Sequence, residues 1–436
     1  MSASPSAAAP VTQSERIVLL DSLRGIAILG ILLMNISSFA QAPILHLDPM
    51  LLNEQGINYY VWLIVFWLLN GTQRALFSML FGAGVILFVG RQEQKLDGLA
   101  AADYFFRRQM WLIAISLFDV FVLLWNGDIL LDYACYGMLI FTFRKSSPKF
   151  LIIAASVCLV FMIARENRDL YQEKEMIQRG ESVAAIDTLK VKLNDKQKAE
   201  LEDMNTFKKS STKESRLKNI DETNEIVQGE YAGVYKWRTE SYTDTIVQYI
   251  YLELWDVLIF MFLGMAFFKL GILTGDAPVR WYALIAIIGL GLGVPLSYFR
   301  VQSVIDNQFN SFEILKSVHI SFYQIERTLR SLGLFGVIIL LYKSGIFGWL
   351  FSLMRPTGQM ALTNYLAQSL ICGFIFNGYG LGLFGKMQRY EVYLVVLAIW
   401  VFQVVYSNIW MRLYFYGPCE WVWRSLTYWR PQPFKR

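Results

Sequence analysis

Long apolar runs separated by short polar ones set the rhythm of this chain. A helix needs about 20 mostly apolar residues to cross a bilayer. Runs near that length occupy 17–39, 60–90, 109–125, 129–143, 150–164, 246–270, 281–299, 321–343, 359–377 and 391–416. They predict an all-α fold: a polytopic membrane helix bundle of about ten transmembrane helices. The second run is long and broken at Asn70-Gly71-Thr72-Gln73-Arg74, which predicts a short half-helix followed by a full one. Irregular backbone at that depth is tolerated only where it lines protein or water.

The rhythm stops between 165 and 245, where 15 Lys/Arg and 17 Asp/Glu replace the apolar runs. Mixed-sign charge with little Gly or Pro favours solvated helices over disorder. The segment therefore reads as an extramembrane helical insert acting as a cap, a spacer or a substrate gate. The chain divides into a disordered N-terminus (1–16), an N-terminal bundle of about five helices (17–164), the insert (165–245), a C-terminal bundle of about five (246–416) and an interfacial tail (417–436). In the tail, aromatics alternate with bases from Gly417 to Arg430. Trp and Tyr prefer the headgroup level, and Arg prefers phosphates.

Composition agrees with the pattern. Hydrophobic residues make up 55% and aromatics 15% of the 436, with a mean hydropathy of +0.39, far from a soluble domain. The net charge of +5 does not point to nucleic acid, because the bases lie in short loops between apolar runs. With the N-terminus placed in the cytoplasm, the inside segments hold 16 Lys/Arg and the short outside segments 4. That ratio predicts both termini inside and the insert outside. Cys135, Cys158, Cys372 and Cys419 show no CxxC spacing, and His46 and His319 are the only histidines, so no metal site is expected.

Charges in lipid are costly and mark functional positions. The first span carries Asp21, Arg24 and Asn35. Asp21 and Arg24 share a helix face and can form an ion pair. Asn35 comes eleven residues after Arg24, about three turns on, so the three form a stripe that fits a cavity wall. Arg24 is then a candidate for an anionic ligand, and Arg74, at the break in the second span, is the next. His46, in the first outside loop, is a candidate general base, with Asp48 beside it to orient the ring. Asp128 follows span three near a helix N-terminus, where it can cap backbone N–H groups or, with Asp132, serve a cavity. Glu326 and Arg330 should pair. Asn364 and Gln368 are four apart on span nine and either bond a neighbouring helix or face a ligand.

The stretches Asp21-Ser22-Leu23-Arg24-Gly25 with Asn35, Phe77 to Gly84, Gly127 to Leu130, Gly358 to Ser369 and Gly417 to Arg424 together resemble the YeiB (DUF418) family of bacterial membrane proteins. The likeness covers nearly the whole chain from residue 16. The family is similar to a wider group of transmembrane acyltransferases that includes heparan-glucosaminide N-acetyltransferase, whose first helix carries an LDxxRG-type motif. The resemblance implies a bacterial cytoplasmic (inner) membrane location, acetyl-CoA or another acyl-CoA as cytoplasmic donor, and a carbohydrate or envelope acceptor on the far side. It also implies that Asn35 and His46 act at the transfer step.

The sequence therefore predicts an acyl-CoA-dependent membrane acyltransferase without a metal. His46, Asn35 and Asp128 are its candidate catalytic groups, and Asp21, Arg24, Arg74, Asn364, Gln368 and Arg424 its candidate donor-binding residues. The lipid bilayer and a small-molecule or carbohydrate acceptor are its expected partners, and a homodimer is compatible with the pattern. The competing reading is a transporter or flippase for a small anionic solute or lipid, because buried arginines suit an anion path as well. A third is a sensor that works through the insert.

Overall fold

The computed structural model describes residues 17–52, 54–96, 99–187 and 192–436, with the side chains of 247–252 set aside. The expected disordered stretch 1–16 lies outside these residues. The described residues form helices, short 3-10 or π turns and one isolated bridge between Tyr414 and Lys435. In chain order the α-helices are α1 (Val18–Ala40), α2 (Ile57–Ile64), α3 (Thr72–Glu93), α4 (Ala100–Phe121), α5 (Leu130–Ile140), α6 (Pro148–Ala184), α7 (Asp195–Ser210) and α8 (Lys213–Val227). They continue as α9 (Tyr231–Lys269), α10 (Val279–Asp306), α11 (Ser311–Ser317), α12 (Tyr323–Lys343), α13 (Gly348–Gln359), α14 (Ala361–Phe376), α15 (Arg389–Leu413) and α16 (Pro418–Tyr428).

Every expected span has a helix, and the fold is an all-α membrane helix bundle. Among the described residues, five segments can cross a bilayer by length and apolar content: Val18–Ala40, Ile57–Glu93, Pro148–Ala184, Val279–Asp306 and Arg389–Leu413. A sixth arises if α12 and α13, bent by 118° at their junction, are taken as one broken span. The large apolar side chains of α10 and α15 point outward, among them Ile287, Leu292, Leu397, Val401 and Ile409. Buried polar groups such as Glu326, Arg330, Gln403 and Ser407 point inward. That inversion of the soluble pattern suits a lipid surround.

Three features differ from the simple alternation of spans and loops. The helices flanking the insert do not stop at the lipid boundary: α6 runs 37 residues and α9 runs 39, so the insert is a continuous extension of two bundle helices. Helix α13 fills what reads as a loop. It packs along α1 so closely that a Cβ on Gly25 would strike the Met354 carbonyl, and one on Gly358 the Asp21 carbonyl. The connection from α4 to α5 is not a short outside turn. Leu124 and Trp125 are buried, Trp125 stacks on Phe39 with ring centroids 3.9 Å apart, and α5 starts inside the bundle with only 11 residues.

The break in the second span is built as the sequence implies. A π turn (Val65–Leu69) ends at Asn70, and Gly71 takes a left-handed backbone (φ 76°) before α3 starts. Glycine suits that conformation, and a Cβ there would also meet the Arg327 side chain. Arg330 donates to the freed carbonyls of Trp67 (2.6 Å) and Asn70 (3.3 Å), replacing the helical bonds the break removes.

Candidate active site

A cavity of about 250 Å³ opens where the Val18 end of α1, the Arg91 end of α3, the first turns of α4 and helix α16 meet. Its wall on α3 extends from Arg91 back to Phe77, roughly 21 Å at about 1.5 Å per residue. Four arginines line it (Arg24, Arg91, Arg108 and Arg424) against two carboxylates, Asp21 and Glu420. Deeper in, the lining turns apolar and aromatic through Phe77, Leu80, Phe81, Leu112 and Ile129, and it includes the phenol-bearing Tyr133 and Tyr365.

Local structure explains each polar group. Arg24 Nη1 lies 3.0 Å from Asp21 Oδ1, and the other Asp21 oxygen accepts from Gln359 Nε2 at 3.1 Å. The acid thus ties α1 to α13 while holding the guanidinium on the cavity wall, where its side chain stays 29% exposed. Glu420 turns its oxygens to backbone and hydroxyl donors. It accepts the backbone N–H groups of Leu362 (2.7 Å) and Thr363 (3.1 Å) and the Thr363 hydroxyl (2.6 Å), so it caps the N-terminus of α14. Burial pushes its carboxyl above the ordinary value. Arg108 lies 3.5 Å from the Trp423 ring centroid, and the indole N–H donates to the Arg108 carbonyl. This contact fastens α16 to α4 and presents Arg424 to the same mouth. The arrangement is an arginine-lined entrance above an apolar interior, a polarity that suits a ligand with an anionic head.

At the inner end the Tyr365 hydroxyl accepts from the Ile129 N–H (3.2 Å) and donates to Asp128 (3.2 Å). Asp128 also accepts from the Ser116 hydroxyl and from the N–H groups of Leu130 (3.0 Å) and Leu131 (3.3 Å), which makes it the cap of α5. Asp119 is fully buried beside it and beside Ser369.

The other candidate residues lie elsewhere. Arg74 sits outside the cavity, ion-paired with Glu253 and within 3.8 Å of Asp132 and 3.9 Å of Asp256. Asp256 also binds Arg327, and Glu326 binds Arg300 (2.6 Å) and, as the spacing implies, Arg330 (3.4 Å). Four arginines thus face four carboxylates in a neutralised core network. Asn364 bonds the Thr357 carbonyl and Ser407 (both 3.0 Å), and Gln368 bonds Gln403 (2.9 Å) and the Ile28 carbonyl (3.2 Å). These two amides join α14 to its neighbours and do not line the cavity.

His46 closes a short turn (Pro43–His46) beyond the far end of α1, on the Asn35 side. Its Nδ1 lies 3.1 Å from the Ser37 hydroxyl oxygen, and that hydroxyl donates its proton to the Met34 carbonyl (3.1 Å). With the Ser37 proton on the Met34 carbonyl the Ser37 oxygen accepts, and in that arrangement Nδ1 carries the hydrogen and Nε2 holds the free lone pair. Burial, then the positive charges of Arg389 and Arg300, hold the ring pKa down at about 4, so the imidazole is neutral at pH 7. Ser37, not Asp48, orients the ring. Asp48 turns away to Arg216 (2.8 Å) and to the N–H groups of Met50 and Leu51. Asp128 is not among the groups the structure brings to His46. Arg91, Arg108 and Trp423 complete the cavity mouth without having stood out in the sequence, where the two arginines look like ordinary positive-inside residues.

Residues 267–430 match the family described as "Protein of unknown function (DUF418)". The chain is 29% identical to YxaH of Bacillus subtilis (strain 168), over 97% of each chain. It is 26% identical to YeiB of Escherichia coli (strain K12), over 95% of this chain and 96% of that protein. These likenesses support membership in the YeiB/DUF418 family. No solved structure matches it. The DUF418 match takes in Gly358 to Tyr365 and Glu420 to Arg424, one wall of the cavity. The opposite wall, on α1, α3, α4 and α5, lies upstream of the match, so the cavity spans both halves of the chain.

Proposed function

We propose that this chain is an acyl-CoA-dependent membrane acyltransferase. In this reading it lies in the bacterial cytoplasmic membrane with both termini inside, and it moves an acyl group, acetyl being the simplest, to an extracytoplasmic carbohydrate or envelope acceptor. The observation that carries the reading is the cavity: an arginine-lined mouth above an apolar, aromatic tunnel. A thioester donor has that polarity, with phosphates at one end and a slender, less polar arm at the other. At about 250 Å³ the space is smaller than a typical site for a drug-sized ligand, roughly 300–1,000 Å³, and suits an arm more than a whole nucleotide. The phosphates would then stay at the mouth with Arg24, Arg108 and Arg424.

Arg24 and Asn35 lie on one stripe of α1, roughly 16 Å apart along its axis; the cavity lining on α1 ends at Arg24, so the arm would have to reach beyond it, between the helices, to meet Asn35. At the far end the acceptor oxygen or nitrogen bonds to the thioester carbonyl carbon and the C–S bond breaks. The acceptor proton passes to Nε2 of His46 and returns to the sulfur, so CoA leaves as the thiol. Asn35 would hold the carbonyl oxygen as charge develops.

An anion path through the bundle has less support. Arg74, Arg327 and Arg330, which such a path would use, are each met by a carboxylate. The test is saturable binding of acetyl-CoA to the purified protein. Binding that is lost in Arg24→Ala supports the donor site. The absence of saturable binding in the wild type removes it, and flux of a labelled anion in proteoliposomes without acyl-CoA supports transport instead.

A further inference from the structure

The turn that carries His46 is held by one bundle helix, α15, and by α8 of the insert. Among the described residues of 41–54 there is no α-helix, only two short 3-10 turns, and such a segment has little rigidity of its own. Two buried arginines grip it. Arg389, at the start of α15, donates to Glu54 (2.6 Å) and to the Leu45 carbonyl (2.8 Å). Arg216, on α8 of the insert, pairs with Asp48 at 2.8 Å, and both side chains are less than a tenth exposed. Arg216 also donates to the Phe309 carbonyl at 3.0 Å, so it joins the turn, the insert and the loop after α10.

Apolar packing follows the same line. Ile220 of α8 is buried in a small cluster with Ala42, Leu45 and Leu51, residues that flank His46 on both sides. Helix α8 is fixed in turn at its far end. The Val227 carbonyl accepts from the Gly378 N–H (2.9 Å), and the Gln228 side chain donates to the Phe384 carbonyl (2.7 Å). Nothing in this set serves the cavity mouth. Its shared target is the histidine turn.

We infer that α8 of the insert is the clamp that positions His46, with Arg216 as the positioning residue acting through Asp48. A buried ion pair of this kind is weak evidence for stability, because desolvation offsets most of its attraction, but it fixes one geometry strongly. The clamp keeps the imidazole packed against Phe66 and beside Ser37, away from bulk water. The charged groups around the ring are Arg300 from α10, Arg389 from α15 and, on its own segment, Asp48 and Glu54. Loosening the turn hydrates the ring and moves it away from both arginines, so its pKa rises from about 4 toward the ordinary 6.5. The catalytic use of His46 rests on the proposed acyl transfer, whereas the clamp itself does not.

The chain has only two histidines, which makes the test direct. In a His319→Gln background, His319 being exposed, histidine-labelled protein in detergent gives a single imidazole whose protonation is followed by NMR. The parent should show no titration between pH 5.5 and pH 8, values bracketing roughly the ordinary histidine range. Arg216→Ala should bring a titration into that window and raise amide exchange of 43–52 at least tenfold. If Arg216→Ala does not fold, the double variant Asp48→Asn/Arg216→Gln removes both charges without stranding either and should give the same two changes. Arg216→Lys should restore part of the protection. Unchanged titration and unchanged exchange in a folded variant overturn the clamp. Both changes in a protein whose wild type transfers no acyl group uphold the clamp and count only against the reaction.

Discussion

Arg24 and Asp21 are one helical turn apart on α1, and their 3.0 Å ion pair is also part of the cavity wall. The acid holds the base in place but does not bury it, and the second Asp21 oxygen is spent on Gln359. A hydrogen bond to a charged group is worth about 1.5–3 kcal/mol. Arg24→Ala should therefore weaken acetyl-CoA binding roughly 10- to 150-fold at low salt, with the thermal midpoint in detergent nearly unchanged. Asp21→Asn should change affinity less, because the guanidinium keeps its charge, but should lower the midpoint by loosening α13. Calorimetric titration at two ionic strengths, paired with thermal melts, separates these effects.

The close approach of α1 and α13 gives a second expectation. Membrane helices associate through small residues that let backbones touch, and here Gly25 faces the Met354 carbonyl while Gly358 faces the Asp21 carbonyl. Gly358→Leu must push the helices apart. Overpacking costs about 1–3 kcal/mol or more, and the displaced Gln359 would lose its bond to Asp21. A lower thermal midpoint together with weaker donor binding is expected. A variant that keeps both would mean that the helices slide freely.

The core arginines should behave differently from those of the mouth. Arg74→Met strands Glu253 and Asp132, which sit beside it. The pair is only half-buried, with Glu253 37% exposed, so the cost falls below the roughly 3–5 kcal/mol of a fully buried pair, and a reduced thermal midpoint is expected. The material that does fold should bind acetyl-CoA as the wild type does. A selective loss of binding with stability intact would place Arg74 in the donor site after all.

These contrasts show what the chain's own pattern could reveal. The apolar runs located a helix at every expected span, though only five or six are long and apolar enough to cross a bilayer, and the Gly71 break was legible because Asn-Gly beside Thr-Gln-Arg fits neither lipid nor a straight helix. Asp21 and Arg24 were legible because charge inside an apolar helix is costly. Whether an intramembrane charge faces a ligand or a partner was not legible, since Arg24 and Arg74 look alike in one dimension and their partners lie on remote helices. Glu253 is 179 residues from Arg74. Arg108 and Trp423 escaped notice for the same reason, as their contact joins segments 315 residues apart. Helix α13 was missed because its apolar run is too short to cross a bilayer.

Helix α16 offers a test of how the mouth is held. Glu420 satisfies two free N–H groups at the start of α14 while the same short helix carries Trp423 and Arg424. Glu420→Gln keeps the shape but removes the charged cap, a change worth about 1 kcal/mol. A modest drop in thermal midpoint is expected, with a larger effect on donor affinity because two mouth residues lose their anchor. Glu420→Ala should do more on both counts.

The pH dependence of the proposed reaction follows from the histidine turn. His46 has a folded pKa of about 4 against 6.5 for the free side chain, so the unfolded turn binds more protons between those values. Stability of the turn therefore falls as pH drops from 6.5 to 4, by up to about 3 kcal/mol, and is constant above that window. Between pH 6.5 and 8 the imidazole is neutral, with Nε2 free to accept a proton. Acyl transfer should accordingly show no acidic limb near pH 6.5, its kcat/KM declining only as pH approaches 4–5. Ser37→Ala removes the acceptor for Nδ1–H and lets the other tautomer form, which blocks Nε2 with its own hydrogen. It should lower kcat by roughly 10²–10⁴, the range a positioned general base supplies, with little change in donor affinity. An acidic limb centred at 6.5 in the wild type would mean that a solvated histidine, or another group, serves as the base.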